Sequence, residues 1–209
     1  MKRGIIMIII CALSFWTLPA EAALITIQIE GVVDNVWDEG NYLEGKIKPG
    51  NIITGFYTYE STTPDSSPAD PVVGHYYHHS PPAGISLTVG GFEFRTDPAN
   101  VDFLVGIVNN NTSGNDIYWI HSYNNLDLSN GTSVDSISWQ LNDPTGTVFS
   151  SDALPITSPV LENWESIYGL RLAGERYRYT IDATVTSAIP EPTTILFFGL
   201  GLLLLRKRT

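Results

Sequence analysis

The sequence predicts an all-β protein in which residues 23–187 form an antiparallel, jelly-roll-like β-sandwich. Three observations support this prediction. Many short segments alternate apolar and polar residues, and glycine, proline and asparagine separate these segments at regular intervals. No window of the sequence shows a sustained apolar period of 3.6 residues. The alternation of apolar and polar residues places one face of each strand in a core and the other in water, as in packed antiparallel sheets.

The predicted strands follow one another from Leu24 onward. In order, the alternating segments are LITIQIEGVV from residue 24, TGFYTYES at 54–61, GISLTVGG from 84, FEFRT from 92, VDFLVGIVN at 101–109, NDIYWIHSY at 115–123, VDSISWQLND at 134–143, GTVFS at 146–150, and finally IYGLRLAG and RYRYTIDATVTS. Gly90-Gly91 predicts a two-residue hairpin turn, and the last two segments are predicted to pair across Gly174-Glu175. Prolines and serines predict irregular loops at 59–74 and 153–166, the second with a short turn of helix near its end.

The first 22 residues have the layout of a secretory signal peptide. Lys2-Arg3 precedes an apolar run at residues 5–18, which is short for a bilayer span of about 20 residues. Ala20-Glu21-Ala22 then forms an A-x-A site. We therefore expect export through the Sec translocon and cleavage by signal peptidase before Ala23. A retained N-terminal membrane anchor is the alternative.

The composition of the exported part limits its partners. Residues 23–187 contain 20 Asp and Glu against six Lys and Arg, a formal net charge near −14. Such a surface repels nucleic acid and anionic lipid headgroups. The single cysteine, Cys11, lies in the predicted signal peptide, so we expect no disulfide and no thiol chemistry in the mature protein.

The last 22 residues, 188–209, combine three features. Pro190-Glu191-Pro192 is a Pro-x-Pro strip that stays extended. An uninterrupted apolar run follows at 195–205, and counted from Ala188 the apolar stretch is about 18 residues, close to a thin bilayer span. Arg206-Lys207-Arg208 is a basic stop-transfer end that we place on the cytoplasmic side. These features predict one C-terminal transmembrane helix, with the domain outside the cytoplasm at the inner membrane.

The tail resembles the PEP-CTERM sorting signal of Gram-negative bacteria, because it has an extended strip, an apolar helix and a basic end in this order. The resemblance implies that exosortase, a membrane-embedded cysteine transpeptidase, recognises Pro190, Glu191 and Pro192. It implies cleavage near these residues and transfer of the domain to the cell surface, in a setting of exopolysaccharide and biofilm production. TGFYTYES, GISLTVGG and GTVFSSDALP resemble, more loosely, a β-domain common among PEP-CTERM proteins. A plain single-pass anchor is the alternative for the tail.

The histidines of HYYHH at residues 75–79 are candidate zinc ligands. On a strand, His75 and His79 share a face but lie about 13 Å apart at about 3.3 Å per residue, too far to bind one ion unless the strand bends. His121, on another strand, is the candidate partner for either. A half-exposed strand with amphipathic side chains is the stronger alternative.

Two acidic segments are candidate calcium sites, namely DNVWDEGN at 34–41, with Asp34 and Asp38, and TPDSSPAD at 63–70. Calcium takes six to eight oxygen ligands, but neither segment has the EF-hand spacing. We therefore expect solvated acidic turns and no cofactor, with calcium as the alternative.

Trp119 and Trp139 are the candidate sugar-stacking residues. Within residues 115–123, large rings fall on both faces of the predicted strand: Trp119, His121 and Tyr123 share one face, and Tyr118 lies on the other. A flat ring edged by polar groups is suited to stacking against a sugar. The alternative is that these rings fill an ordinary sandwich core.

The sequence contains neither a G-x-S-x-G nor an H-E-x-x-H motif. We therefore predict a non-enzymatic, exported cell-surface or matrix protein that exosortase processes and that is associated with exopolysaccharide. The alternative is a carbohydrate-binding module that contacts exopolysaccharide through exposed aromatic residues. A glycan-active hydrolase, which needs two carboxylates at a set separation, is less favoured.

Overall fold

The computed structural model describes residues 23–191, apart from the side chains of residues 166–168, and this part of the chain is built from strands. The strands are β1 (Leu24–Asp38), β2 (Ile52–Glu60), β3 (Val73–His78), β4 (Gly84–Val89), β5 (Phe92–Arg95), β6 (Phe103–Val108), β7 (Asp116–Ser122), β8 (Ser136–Asp143), β9 (Ser166–Gly174) and β10 (Tyr179–Pro190). A single turn of 3-10 helix spans Leu161–Asn163, as the sequence predicts. The predicted all-β class is confirmed.

The ten strands form one antiparallel sheet in the order β3-β6-β7-β8-β9-β10-β1-β2-β4-β5. The sheet curls so that its two halves face each other. Tyr118 on β7 donates its hydroxyl to the hydroxyl of Tyr57 on β2 at 3.0 Å, and the ring of Trp139 on β8 lies 6.2 Å from that of Tyr57. The two layers are therefore halves of one continuous sheet, which differs from the jelly-roll-like sandwich that the sequence predicts.

The two longest strands, β1 and β10, pair with each other near the middle of the strand order. They have 15 and 12 residues and pair with each other from Ile27–Pro190 to Asp38–Tyr179. Two register shifts, between Glu30 and Gly31 and between Val33 and Asn35, interrupt this ladder. Such bulges bend and twist a strand, so β1 and β10 can belong to both halves.

The core lies between the two halves of the sheet and is rich in aromatic residues. Strand β7 alternates buried and half-buried residues along its whole length, with Tyr118 and Ile120 inside and Trp119 and His121 outside. The largest fully buried side chains are Trp139, Tyr57, Tyr59, Tyr118, Tyr179, Phe92, Phe94 and Phe103. Alternation in the sequence therefore separates a core face from an outer face, as predicted.

Two local predictions are corrected. Residues 146–150 do not form a strand, because the carboxylate of Asp143 accepts hydrogen bonds from the backbone of Thr145 and Thr147 and folds the chain into a turn after β8. The acidic segment from Asp34 is not a turn, because β1 continues to Asp38 alongside β10.

Two predicted hairpins are present. Val89 pairs with Phe92 across Gly90-Gly91, whose φ angles of +58° and +81° favour glycine. The β9–β10 hairpin also forms where predicted, but Gly174 pairs with Tyr179, so its connection comprises the four residues 175–178.

Several predictions fall outside the described residues. These are the signal peptide with Ala20 and Ala22 of its cleavage site, the C-terminal membrane helix, Pro192, and the basic end at Arg206, Lys207 and Arg208. Among residues 23–191, no helix has the length and apolar character needed to cross a membrane. Strand β10 ends at Pro190, three residues beyond the predicted end of the domain.

Candidate functional site

The outer side of strands β3, β6 and β7 carries a cluster of aromatic side chains. It comes from the alternate residues of β3 and β7 that point away from the core, together with the residue after each strand. We call this cluster the outer aromatic surface; it consists of His75, Tyr77, His79, Trp119, His121 and Tyr123. Strand β6 runs between the two rows, with Gly106 paired to both His75 and Trp119, and Leu104 paired to both Tyr77 and His121.

The indole of Trp119 lies directly on the backbone of Gly106. A Cβ atom placed on Gly106 would lie 2.1 Å from both Cε2 and Cζ2 of Trp119 and 2.5 Å from Cδ2. Because these neighbouring ring atoms are the nearest ones, the indole covers Gly106 with its face and not with its edge. The ring of His75 approaches the indole at 5.6 Å and 80°. One face of Trp119 is therefore held against the sheet, and the half-buried side chain presents its other face outward.

Two further pairs of rings extend this surface along the strands. His121 and Tyr123 are stacked at 4.0 Å and 9°, and Tyr77 and His79 are nearly parallel at 6.1 Å and 7°. Burial lowers the pKa of His121, although the carboxylate of Asp102 opposes this effect. Burial also raises the pKa of Tyr123. Both shifts favour the uncharged forms of the stacked His121 and Tyr123 side chains.

A groove of about 490 Å³ adjoins the outer aromatic surface. Trp119 and His121 line one wall of it, and the other wall is polar and comes from β8, β9, β10 and β1. In the polar wall, Nε of Arg171 donates to Oδ1 of Asp182 at 2.7 Å, and Oγ1 of Thr184 donates to Oδ2 of Asp34 at 2.8 Å. The groove thus joins a flat aromatic ring to hydrogen-bonding groups, an arrangement typical of ligand sites. The other polar side chains lining it are Ser138 and Gln140.

Of the two predicted sugar-stacking residues, the structure leaves only Trp119 accessible. Trp139 has 0% of its surface exposed and packs against the rings of Tyr57 and Tyr118 at 6.2 and 6.1 Å. It pairs with Ile120, an inward position of β7, and therefore points into the core. The prediction for Trp139 is corrected, because a ring in the core offers no face to a sugar.

The predicted metal ligands lie apart from one another. Asp34 accepts a hydrogen bond from Thr184, and Asp38 accepts the backbone N–H groups of Tyr42 and Leu43. Nδ1 of His75 lies 3.1 Å from the hydroxyl of Ser67, and His79 lies 3.9 Å from Asp102. Across residues 23–191, the structure brings together no group of three or more His, Cys, Asp or Glu side chains that could hold a metal ion.

Two buried carboxylates, Asp116 and Asp143, face each other on β7 and β8. Burial opposes ionisation of Asp143, but hydrogen bonds from Thr145 and Thr147 outweigh this and lower its pKa to about 2. Asp116 accepts the backbone N–H groups of Asn110 and Phe149. Both carboxylates therefore anchor the loops that follow β6 and β8. The general acid of a glycosidase needs a raised pKa, which is the opposite of the state of Asp143.

The sequence prediction missed the polar wall, because it assembles residues from strands that are far apart in the chain. The sequence did contain one signal for the close contact between the indole of Trp119 and the sheet. Gly106 interrupts the apolar segment VDFLVGIVN, and a glycine inside a strand marks a point of close approach.

The predicted sorting residues that the structure describes are Pro190 and Glu191. Pro190 pairs with Ile27 of β1, and the backbone N–H of Glu191 donates to the carbonyl of Thr26 at 3.1 Å. Because β1 and β10 are antiparallel, the end of β10 lies beside the start of β1 at Leu24. The sorting strip therefore begins as an extended, hydrogen-bonded continuation of the sheet.

Comparison with known proteins identifies the tail. Residues 188–208 match the family model for the PEP-CTERM protein-sorting motif, and the last three residues of β10 fall within the match. Searches of curated proteins and of solved structures found no match. The resemblance of the tail to the PEP-CTERM sorting signal is confirmed: the chain carries this motif, the tail signal of exported proteins that exosortase processes.

Proposed function

We propose that this chain is a cell-surface or extracellular-matrix protein. It is exported by the Sec translocon, trimmed by signal peptidase, and held at the inner membrane by its tail. Exosortase then cuts near Pro190-Glu191-Pro192 and releases the domain. The observation that carries the proposal is the match of residues 188–208 to the PEP-CTERM motif.

The geometry of the chain ends supports this route. The start of β1 and the end of β10 are neighbours in the sheet, so the segments before Ala23 and after Glu191 continue from the same part of the domain. A membrane helix attached there can hold the folded domain at the membrane without unfolding the sheet. The extended conformation of Pro190 also suits a segment that a processing enzyme must grip.

We propose that the exported domain is non-enzymatic, requires no cofactor and is associated with exopolysaccharide. The buried Asp116 and Asp143 support this proposal, because both are engaged by backbone N–H groups and anchor loops. The net charge near −14 of residues 23–187 is typical of a domain that works in aqueous surroundings, away from nucleic acid and anionic lipid.

A second candidate function is glycan binding through exposed aromatic residues. The indole of Trp119, held over Gly106 with one face outward, favours it. This function is compatible with the first, since a glycan-binding domain on the cell surface would contact the exopolysaccharide there.

The sorting proposal is tested by intact-mass analysis of the protein released from cells with and without exosortase. We expect the released protein to lack residues 202–205, and we expect release to stop without the enzyme. Replacing Pro190, Glu191 and Pro192 together by alanine should leave the protein in the membrane fraction, whereas the control Pro98→Ala, at an exposed turn outside the motif, should be processed normally. A released product that still carries Leu202–Leu205 would overturn the proposal.

A further inference from the structure

The accessible ring of Trp119 is a fixed platform. Gly106 lies beneath the indole, and the ring of His75 lies 5.6 Å from it at 80°. A ring held in this way loses little conformational freedom when a ligand stacks on it, which favours binding. A flat aromatic face with polar groups around it matches a sugar ring, whose C–H face is apolar and whose hydroxyls lie at its edge.

The platform belongs to a surface longer than one ring. Trp119 and His121 lie on β7 and Tyr123 directly follows it, and His75 and Tyr77 lie two strands away, about 10 Å at the usual strand spacing. Leu104, on β6 between these two rows, is only 3% exposed. The surface is therefore continuous over more than one sugar ring and favours a chain over a single monosaccharide.

The groove beside the platform supplies hydrogen-bonding groups on its far wall. Gly169 has no side chain to fill the groove, and a Cβ there would lie 2.6 Å from the carbonyl oxygen of Ala183. Gln140 and Arg171 offer donors, while Asp34 and Asp182 offer acceptors. Donors and acceptors side by side are suited to hydroxyl groups, which both donate and accept.

The charges in and around the groove favour neutral over acidic polysaccharides. Asp34, Asp102 and Asp182 lie in or beside the groove, and Arg171 already pairs with Asp182. Burial lowers the pKa of His121 and so disfavours a positive charge on its imidazole. A chain of uronic acids or one bearing sulfate groups would be repelled here.

We propose that the groove beside Trp119 binds a neutral polysaccharide chain. One sugar ring stacks on the indole of Trp119, its neighbours extend over the outer aromatic surface, and their hydroxyls bond to the polar wall formed by Gln140, Arg171 and Asp182. This inference rests on the second candidate function, glycan binding, and adds the location of the site and the chemical class of its ligand.

The test is calorimetric titration of the exported, processed protein with cellohexaose, mannohexaose and chitohexaose as neutral probes and polygalacturonate as the acidic probe. We expect at least one neutral probe to bind and polygalacturonate not to bind. Trp119→Ala should weaken the binding by about tenfold or more, as truncation of a central aromatic residue does. The matched control is Trp37→Ala, because Trp37 is 49% exposed and lies outside the groove, and it should bind like the parent.

A second variant, Gly106→Ala, keeps the indole but pushes it off the sheet, and it should also weaken binding. Circular dichroism of each variant establishes that it is folded. Binding of polygalacturonate alone, equal affinities of the parent and Trp119→Ala, or binding of no probe would each overturn the inference. So would self-association of the protein that Trp119→Ala abolishes. If the protein is released and trimmed normally but binds none of the probes, the sorting proposal stands and only the glycan site is lost.

Discussion

Trp119 and Trp139 lie on neighbouring strands and belong to opposite faces of the same sheet. Trp139 is 0% exposed between the rings of Tyr57 and Tyr118, whereas Trp119 rests on Gly106 at the outer surface. The two residues are chemically identical, and one residue of register separates their environments. The difference teaches that the strand face, and not the residue type, decides whether a large ring stabilises the core or forms a surface.

The HYYHH segment shows the same contrast within one strand. His78 points inward and is 5% exposed, and its Nδ1 lies 3.1 Å from the hydroxyl of Thr63. His75 and Tyr77 point outward and join the outer aromatic surface. An inner and an outer role therefore alternate residue by residue, and substitutions on the two faces should have different consequences.

The largest expected contrast is in stability. Trp139→Ala removes a fully buried indole and should lower the free energy of unfolding by about 3–5 kcal/mol, a large part of the total for a typical domain. Trp119→Ala removes a half-buried ring and should cost clearly less. Urea denaturation of both variants measures the difference. Equal losses would contradict the separation into a core face and a surface face.

Alternation in the sequence was sufficient to predict the all-β class and most of the strands, although the predicted strand at 146–150 is absent. In NDIYWIHSY and VDSISWQLND, each predicted strand is present within a few residues of its expected ends. The same pattern could not decide which face of β7 is the inner one, because large rings occur on both. That choice depends on pairing, since Ile120 lies opposite Trp139 and Tyr118 reaches across the core to Tyr57.

The candidate site was predictable only in part. Trp119 was identified from its type and its neighbours, but the polar wall combines Asp34, Arg171 and Asp182, which are far apart in the sequence. Their proximity follows from the pairing of β1 with β10 and of β10 with β9. The sorting motif could be identified from the sequence alone, because all of its residues lie in one contiguous segment.

The next contrast is in pH dependence. Burial, followed by the nearby charge of His79, lowers the pKa of His78 to about 4. Between pH 6.5 and 4 the unfolded chain therefore binds a proton that the native state does not, so stability falls as the pH decreases through this window. The slope that His78 contributes is at most about 1.4 kcal/mol per pH unit.

Denaturation midpoints measured from pH 7 to pH 4 test this expectation. His78→Phe should reduce the slope, although His121, whose pKa is also lowered by burial, leaves part of it in place. Tyr77→Phe, at an exposed position on the same strand, removes no imidazole and is the matched control, which should keep the slope of the parent. An unchanged slope in His78→Phe would contradict the lowered pKa of the buried imidazole, because His78 would then bind protons equally in the native and unfolded states.

A smaller effect is expected from the hydroxyl pair that joins the two halves of the sheet. Tyr57→Phe removes the acceptor for the hydroxyl of Tyr118, and both side chains are buried. A buried donor left without its partner should cost about 1–2 kcal/mol of unfolding free energy. Tyr123→Phe, on the outer surface, is the control and should cost close to nothing. Equal stabilities of the two variants would contradict a role for this hydrogen bond in holding the halves together.

The smallest effect on stability is expected from Gly106→Ala, which adds one methyl group on the outer face of β6 beneath the indole of Trp119. The added Cβ would lie 2.1 Å from the indole of Trp119, so the ring must move away from the sheet, while the inward neighbours Val105 and Ile107 remain in the core. We expect a stability cost of about 1 kcal/mol, since the displaced ring borders solvent and can shift. Acrylamide quenching of tryptophan fluorescence should increase, because the indole loses its contact with the backbone. In the background of Trp119→Phe the same substitution should leave the quenching unchanged, and an increase there would mean that Gly106 supports the core and not the surface ring.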